Sequence, residues 1–248
     1  MRLFAAALLV LAVLGSAAVA QADEKLYLYT ENFPPYNMSS TGNAFEHDGD
    51  NVEGVCADTV KAMLARTNLD YVIKLRNWDY GYGRALERAN HGIFCTTYTE
   101  QRAPLFKWVG PLATHQWTIF GPPGSDLEIG ALEDIGEMTV GSYRNDVRAQ
   151  YLKERGFNVI EFDRDDLNPK RLALGQIDLW IADRQAGPYF AAQQGVEGLV
   201  PLYSFNDSEL YLAINPQTSD EVVDQLNEAL EAVKASGLLE TLVDKYGL

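Results

Sequence analysis

The sequence predicts an α/β protein with two lobes, each a sheet flanked by helices, and three observations support this. Strand-like and helix-like segments alternate from residue 25 to 97, and the alternation restarts after the Gly-Pro-Pro-Gly turn at 121–124. Sequential β-α-β units form parallel sheets covered by helices, so each run predicts one lobe. Two amphipathic helices at the chain end need a sheet to bury against, which predicts a return to the first lobe.

The first run contains three strands and two helices. Its opening segment, KLYLYT, is rich in β-forming residues and is ended by the two prolines of FPPY. In the first helix, Val60, Met63 and Leu64 fall at helical spacing. The predicted elements are strands at 25–30, 71–75 and 92–97, a helix at 57–69, a helix that includes 84–89, and a polar loop at 41–54.

The second run repeats this order with shorter elements. Asn145 or Asp146 is positioned to cap a helix that ends at Gly156. Asn168 followed by Pro169 predicts the start of a short helix ending at Gly175, because proline is favoured in the first helical turn. The predicted strands lie at 138–142, 158–162 and 177–183.

The end of the chain predicts one more strand, at 208–214, and two helices. Thr218 and Glu221 have the spacing of a capping box for a helix that runs to Gly237. A return of these helices to the first lobe leaves two chain crossings between the lobes, which predicts a hinge. The predicted division is lobe 1 at 23–112 and 210–248, and lobe 2, with the hinge strands, at 113–209.

The N-terminus has the pattern of a secretory signal peptide at 1–22. Arg2 precedes an apolar run at 3–14, and small residues follow up to the predicted cleavage after Ala22. The run is too short to span a bilayer, although a signal anchor remains the alternative. The sequence therefore predicts an exported, periplasmic protein.

The net charge and the cysteine and histidine positions indicate which partners, cross-links and cofactors to expect. A formal charge of -15 argues against nucleic acid or anionic lipid as the main partner. Cys56 and Cys95 form either a disulfide or two buried thiols, since export makes a bridge possible without requiring it. His47, His91 and His115 are widely spaced and near no cysteine pair, so neither a metal site nor another cofactor is expected.

The segment CTTYTEQRAPLFKWVG, from Cys95 to Gly110, contains a candidate carboxylate clamp. Arg102 follows Thr97 by five residues at the end of an apolar strand. A guanidinium group can grip a carboxylate at two points, and a hydroxyl can add a third hydrogen bond. The alternative is a surface turn with a solvated arginine.

Several further motifs appear in an order that resembles the family 3 extracellular solute-binding proteins, the polar amino acid receptors of bacterial ABC importers. They are YTENFPPY, EGVCADTV, a tryptophan ahead of the second helix, TEQR with FKWVGP, VGSYRND and GQIDLWIAD. The resemblance covers essentially the whole mature chain. It implies the two-lobed type II periplasmic-binding-protein fold with two hinge crossings.

The resemblance also implies roles for individual residues. Arg102 is expected to bind an α-carboxylate with help from Thr97, and Asp183 is expected to accept hydrogen bonds from an α-ammonium group. The alternative for Asp183 is a helix cap. Phe33 is expected to stack on the ligand, with Tyr36 behind it.

Four positions depart from the family pattern. Arg144 and Asn145 replace a small pair whose backbone amides meet the carboxylate, so Arg144 either adds a second positive group for an acidic ligand or points to solvent. Cys95 stands where a glycine carbonyl commonly meets the ammonium group. The spacing around Trp78 is also unusual, so which residue of that segment faces the cleft stays open.

The resemblance implies a monomeric receptor that closes on a small amino-acid-like ligand and delivers it to the membrane permease of an ABC importer. One alternative is an accessory protein that senses a ligand without transport. Another is an exported dehydratase-like enzyme on the same scaffold, although no nucleophile or cofactor motif accompanies its acidic candidates. The sequence predicts a non-enzymatic binding protein and does not identify the ligand.

Overall fold

A computed structural model describes residues 25–248, so the predicted signal peptide lies outside the described residues. The described chain contains α-helices and strands in mixed order. The strands are β1 (Leu26–Thr30), β2 (Met38–Ser39), β3 (Val52–Glu53), β4 (Tyr71–Leu75), β5 (His91–Thr97), β6 (Lys107–Gly121), β7 (Val140–Tyr143), β8 (Val159–Phe162), β9 (Leu179–Asp183) and β10 (Val200–Ile214). The helices are α1 (Val55–Leu64), α2 (Trp78–Glu87), α3 (Val147–Glu154), α4 (Asn168–Ala173), α5 (Ala186–Gln193), α6 (Asp220–Ala235) and α7 (Leu238–Tyr246).

Eight strands form one mixed sheet in the order β4-β1-β5-β10-β6-β9-β7-β8. Pairing is parallel among β4, β1 and β5 and among β9, β7 and β8, whereas β6 and β10 pair antiparallel with each other and with their outer neighbours. Each of these two central strands is 15 residues long. They therefore connect the two parallel halves of the sheet, as expected for paired hinge strands.

We call the half built on β4, β1 and β5 lobe 1, and the half built on β9, β7 and β8 lobe 2. Leu210 of β10 pairs with Thr97 of β5, whereas Trp117 of β6 pairs with Asp183 of β9. The helices α6 and α7 pack against α1, and the Tyr246 hydroxyl donates to Asp58 at 2.7 Å. This confirms the predicted return to lobe 1, while the residue boundaries of the lobes stay a prediction.

Apolar side chains at strand and helix positions bury both faces of the sheet. In lobe 1 the strands pack against α1 and α6 through Leu28, Ile73, Val60, Met63, Leu226 and Leu230. In lobe 2 a second cluster includes Ile119, Val140, Leu152, Leu179 and Ile181. Within residues 25–248, no helix has the length and apolar character needed to cross a membrane.

The structure corrects several element predictions. The N-cap of α6 is Ser219, which accepts from the Val222 amide, whereas Thr218 accepts from the Asn90 amide, so the Thr218–Glu221 capping box is wrong. The helix α5 was not predicted from the sequence. Of the two candidate caps for α3, Asp146 is the one that accepts from the helix amide.

Candidate functional site

Three cavities form a row along the cleft between the lobes. The inner cavity, of about 20 Å³, is lined by Glu31, Phe33, Trp78, Cys95, Thr97, Arg102, His115, Asp146, Val147 and Arg148. The loop-side cavity, of about 260 Å³, shares Glu31, Phe33 and Arg148 with it and extends along the loop at 38–44. The hinge-side cavity, of about 470 Å³, shares Thr97 and Val147 with it and reaches β6 and β10.

Arg102 is buried in the wall of the inner cavity, which excludes the solvated surface turn considered above. Its guanidinium lies over the rings of Trp78 and Tyr82, at 5.0 and 5.3 Å from their centroids, and donates to the Thr97 carbonyl at 3.3 Å. No acidic side chain within residues 25–248 forms a salt bridge with it. Aromatic faces hold the charge without neutralising it, so the group remains available to an anion.

Thr97 belongs to a buried chain of polar groups that continues to Asp183. The Thr97 hydroxyl lies 3.1 Å from Nε2 of His115, and Nδ1 of the same ring lies 3.6 Å from the Asp183 carboxylate. Nδ1 has no hydrogen-bond partner within residues 25–248, so the direction of the Thr97–His115 bond depends on the imidazole tautomer; with the hydrogen on Nδ1, beside the carboxylate, Nε2 is the acceptor. Thr97 then donates to His115 and presents lone pairs to the cavity. That arrangement fits a ligand N–H group better than a carboxylate.

Asp183 is fully buried at the end of β9 and lines none of the three cavities. One carboxylate oxygen accepts from the amides of Gln185 and Ala186 at 2.8 Å each, so it caps α5. The other accepts from the Tyr36 hydroxyl at 3.3 Å, and burial together with Asp183 raises the pKa of Tyr36. The helix-cap alternative is therefore present in the structure, and contact with a ligand ammonium group stays a prediction.

Cys56 and Cys95 form a disulfide, which settles the alternative left open by the sequence. The bridge ties the end of β5 to the first turn of α1, with Cα atoms 6.0 Å apart. Cys95 has φ of 61°, a left-handed conformation that favours glycine. The disulfide thus holds Cys95 in a backbone conformation that glycine adopts without strain.

Phe33 and Trp78 supply the aromatic walls of the inner cavity. Phe33 packs against Tyr36 with centroids 4.7 Å apart and also borders the loop-side cavity. Trp78 stacks on Tyr82 at 5.0 Å. Of the residues in the unusual tryptophan segment, Trp78 is thus the one that faces the inner cavity.

Arg144 and Asn145 lie outside the residues that line the three cavities. The Arg144 guanidinium is half exposed and pairs with Asp163 at 2.8 Å. The Asn145 amide donates to Asp79 of lobe 1 at 3.0 Å, so this residue connects the lobes. Of the two alternatives for Arg144, the half-exposed side chain in this structure agrees with the one that points to solvent, and a contact with the ligand stays a prediction.

Arg148, which the sequence reasoning missed, is the lobe 2 cation that does reach the inner cavity. Its Nε and Nη2 donate to the two oxygens of Asp146 at 2.7 and 3.0 Å. Its guanidinium lies 5.8 Å from the ring centroid of Phe33, and Nη1 is buried with no hydrogen-bond partner among the residues that the structure describes. The only sequence signal was an acid two residues before an arginine at a helix start.

Two carboxyl groups near Arg148, Glu31 and Asp165, were not among the predicted ligand contacts. Burial, reinforced by repulsion from Asp146, raises the pKa of Glu31 to about 8. Burial also raises the pKa of Asp165 to about 6, although Arg148 and a hydrogen bond from Trp180 oppose the shift. Glu31 is thus mostly protonated at neutral pH and can donate a hydrogen bond into the cleft.

The fold is similar to solved structures of binding proteins and their relatives. One is a mutant of the arginine-binding protein ArgBP from T. maritima, with 20% identity, a TM-score of 0.76, and coverage of 90% of this chain and 95% of that one. Another is a histidine kinase sensor domain with similarity to periplasmic binding proteins, with 19% identity, a TM-score of 0.80, and coverage of 90% and 95%. A third is an ancestral amino acid-binding protein, a precursor of cyclohexadienyl dehydratase, with 19% identity, a TM-score of 0.73, and coverage of 90% and 95%.

Similarity at these identities shows the fold, and the family follows from the sequence itself. A comparison with curated proteins gave no match. The family model for bacterial extracellular solute-binding proteins, family 3, matches residues 27–248, which is nearly all of the chain described by the structure. The protein therefore belongs to the family 3 bacterial extracellular solute-binding proteins.

Proposed function

We propose that the protein is an exported receptor that binds a small amino-acid-like ligand between its lobes and delivers it to an ABC importer. One observation carries the proposal: Arg102 holds a buried positive charge in the cleft, and no acidic side chain of residues 25–248 forms a salt bridge with it. A buried charge is costly unless it is paired, so a ligand carboxylate offsets a cost already present in the free protein. The amino acid binding recorded in the names of the structural relatives supports this ligand class.

Ligand binding requires the lobes to move. The inner cavity, at about 20 Å³, has room for about one water molecule, so a whole amino acid does not fit beside Arg102 in this conformation. Entry therefore requires the lobes to separate and the neighbouring cavities to contribute space. The ligand then stabilises closure to the extent that it contacts both lobes.

The export and partner assignments are parts of the same proposal. The signal pattern at 1–22 supports delivery to the periplasm. The acidic surface gives no reason to expect nucleic acid, and the receptor acts as a monomer that docks its closed form on a membrane permease. Stimulation of the permease ATPase by the ligand-loaded protein, and not by the ligand alone, is the measurement that tests the transport step.

Replacement of Arg102 tests ligand binding directly. The wild-type protein is screened against the twenty L-amino acids by thermal shift, and the tightest one is measured by calorimetry with Arg102→Met. The matched control is Arg66→Met, which removes an exposed arginine of lobe 1 that lines no cavity. Loss of a charge-assisted clamp weakens binding by about 100-fold or more, and the control stays within about threefold. If Arg102→Met and wild type bind this amino acid with equal affinity, Arg102 does not bind the ligand carboxylate.

A ligand-sensing role without transport is the second candidate. The similarity to a histidine kinase sensor domain, at a TM-score of 0.80, favours keeping it. Ligand-dependent binding to a membrane kinase, with no effect on permease ATPase activity, would select sensing over transport. The dehydratase alternative predicts turnover of prephenate or arogenate by the pure protein, and we expect none.

A further inference from the structure

We propose that Arg148 supplies the second guanidinium of the ligand site, so that an anionic group of the ligand is held between Arg102 of lobe 1 and Arg148 of lobe 2. The inference rests on the proposed function and deepens it by naming the contact that lobe 2 makes. It also restricts the ligand to molecules with a carboxylate, or a similar planar anion, at the end that enters the inner cavity.

The two arginines border the same small space from opposite lobes. Arg102 follows β5 in lobe 1, and Arg148 lies in the first turn of α3 in lobe 2. The inner cavity, at about 20 Å³, has room for about one water molecule, so the two side chains border one confined space. A ligand carboxylate around which the lobes close at this point is held by both guanidinium groups.

The geometry of Arg148 leaves one nitrogen for a ligand. Asp146 engages Nε and Nη2, and the planar guanidinium fixes the position of the third nitrogen once two are held. That third nitrogen, Nη1, is buried without a partner. An unpaired buried donor costs about 1–3 kcal/mol, and more when charged, so an acceptor supplied by the ligand recovers free energy.

The charges around the cavity agree with an anion at this point. Arg148 and Asp146 form a neutral pair, so the uncompensated charge of the inner cavity comes from Arg102. Glu31 also lines the cavity, but burial holds its pKa at about 8, so it mostly remains neutral at pH 7. One negative ligand group therefore balances Arg102, satisfies Arg148 and can accept from the Glu31 carboxyl group.

The test compares a carboxylate with its amide in variants of this pair. The double variant Asp146→Asn with Arg148→Met removes both charges of the pair together, so Asp146 is not left as an unpaired carboxylate. The matched control is Glu231→Gln with Lys234→Met, because this surface ion pair of α6 lines none of the three cavities. The probes are the L-amino acid that binds wild type most tightly among the twenty, and its α-amide, both measured by calorimetry at pH 7.

Wild type is expected to prefer the acid over the amide, and the Asp146–Arg148 variant is expected to lose about 10- to 100-fold in affinity for the acid but little for the amide. The control variant keeps the wild-type preference. Thermal unfolding checks that each variant folds. Should the double variant fail to fold, Arg148→Lys keeps the charge but loses the planar fork, and a reduced acid preference is again expected.

Unchanged acid preference in a folded Arg148 variant overturns this inference and leaves the proposed function standing. Equal losses for acid and amide also overturn it, since they indicate a structural role for Arg148. If none of the twenty amino acids binds wild type, the proposed function and this inference both fail.

Discussion

Removal of the Cys56–Cys95 disulfide is predicted to destabilise the protein and disturb the ligand site. The bridged residues are separated by 39 positions, so the bridge closes a loop of about 40 residues in the unfolded chain. The chain-entropy relation gives a loss of about 13 cal/mol/K for such a loop, or about 3.9 kcal/mol at 25 °C. For a chain of this size, that free energy corresponds to a decrease in Tm of roughly 8–16 °C.

The assay compares two variants without the bridge, Cys56→Ala with Cys95→Ala and Cys56→Ala with Cys95→Gly. Cys95 has φ of 61°, a conformation that destabilises alanine by about 1 kcal/mol relative to glycine. The glycine variant is therefore expected to unfold at the higher urea concentration of the two. Calorimetric binding of the best amino acid then shows whether the bridge also holds the cavity wall that Cys95 forms.

Two results would refute this reasoning separately. A decrease in Tm of less than about 3 °C in both variants contradicts the loop-entropy estimate. Equal stability of the alanine and glycine variants contradicts the argument from the left-handed conformation. Wild type treated with reductant under native conditions serves as a third sample with an unchanged sequence.

Two further predictions concern stability. The pKa of Glu31 is about 8 in the folded protein and 4.5 by reference, so the folded state holds more protons between these values and the unfolding free energy decreases as pH rises from about 5 to 8. Glu31→Gln is expected to remove this decrease when the unfolding free energy is measured by urea titration at several pH values between 5 and 8. An unchanged dependence on pH rejects the raised pKa of Glu31. In Gly54→Ala the new Cβ would lie 2.3 Å from the Tyr36 carbonyl oxygen at φ of 121°, which costs about 3 kcal/mol or more. Gly83→Ala in α2, with no atom within 4 Å, is the control and should be neutral or stabilising in the same urea titration.

Local patterns were sufficient to predict most of the regular elements but not the whole of the hinge. The alternation of strands and helices, and the amphipathic stripe of α6, are properties of short segments. The strand β10 was predicted only at 208–214, because its first half is irregular. Register shifts interrupt its pairing with β6, and Asn206 has φ of 53°. The missed helix α5 contains Gly187 and Pro188, which favour a turn in isolation, and its cap comes from Asp183 at the end of β9.

The sequence identified only those residues of the candidate ligand site whose positions follow from a short segment of chain. Arg102 was identifiable because its spacing from Thr97 places both at the end of one strand. Arg148 was not, because its burial beside Phe33 depends on the approach of the two lobes, and nothing in the sequence distinguishes it from an exposed arginine such as Arg155, just after the same helix. Arg144 was chosen instead because the family pattern pointed to that position, but the turn directs its side chain to Asp163.

The polar chain behind the cavity determines what the ligand must present there. With its hydrogen on Nδ1, which lies 3.6 Å from the Asp183 carboxylate, a neutral His115 accepts from the Thr97 hydroxyl, and Thr97 presents lone pairs to the cavity. If His115 is protonated, both ring nitrogens donate, and the Thr97 hydroxyl is released to donate to the ligand. In the neutral form, the proposed position of the ligand carboxylate at the arginine pair would leave the N–H groups of the ligand to Thr97. Contact of Asp183 with the ligand stays a prediction, and the His115 tautomer gives this buried carboxylate a second, indirect way to influence binding.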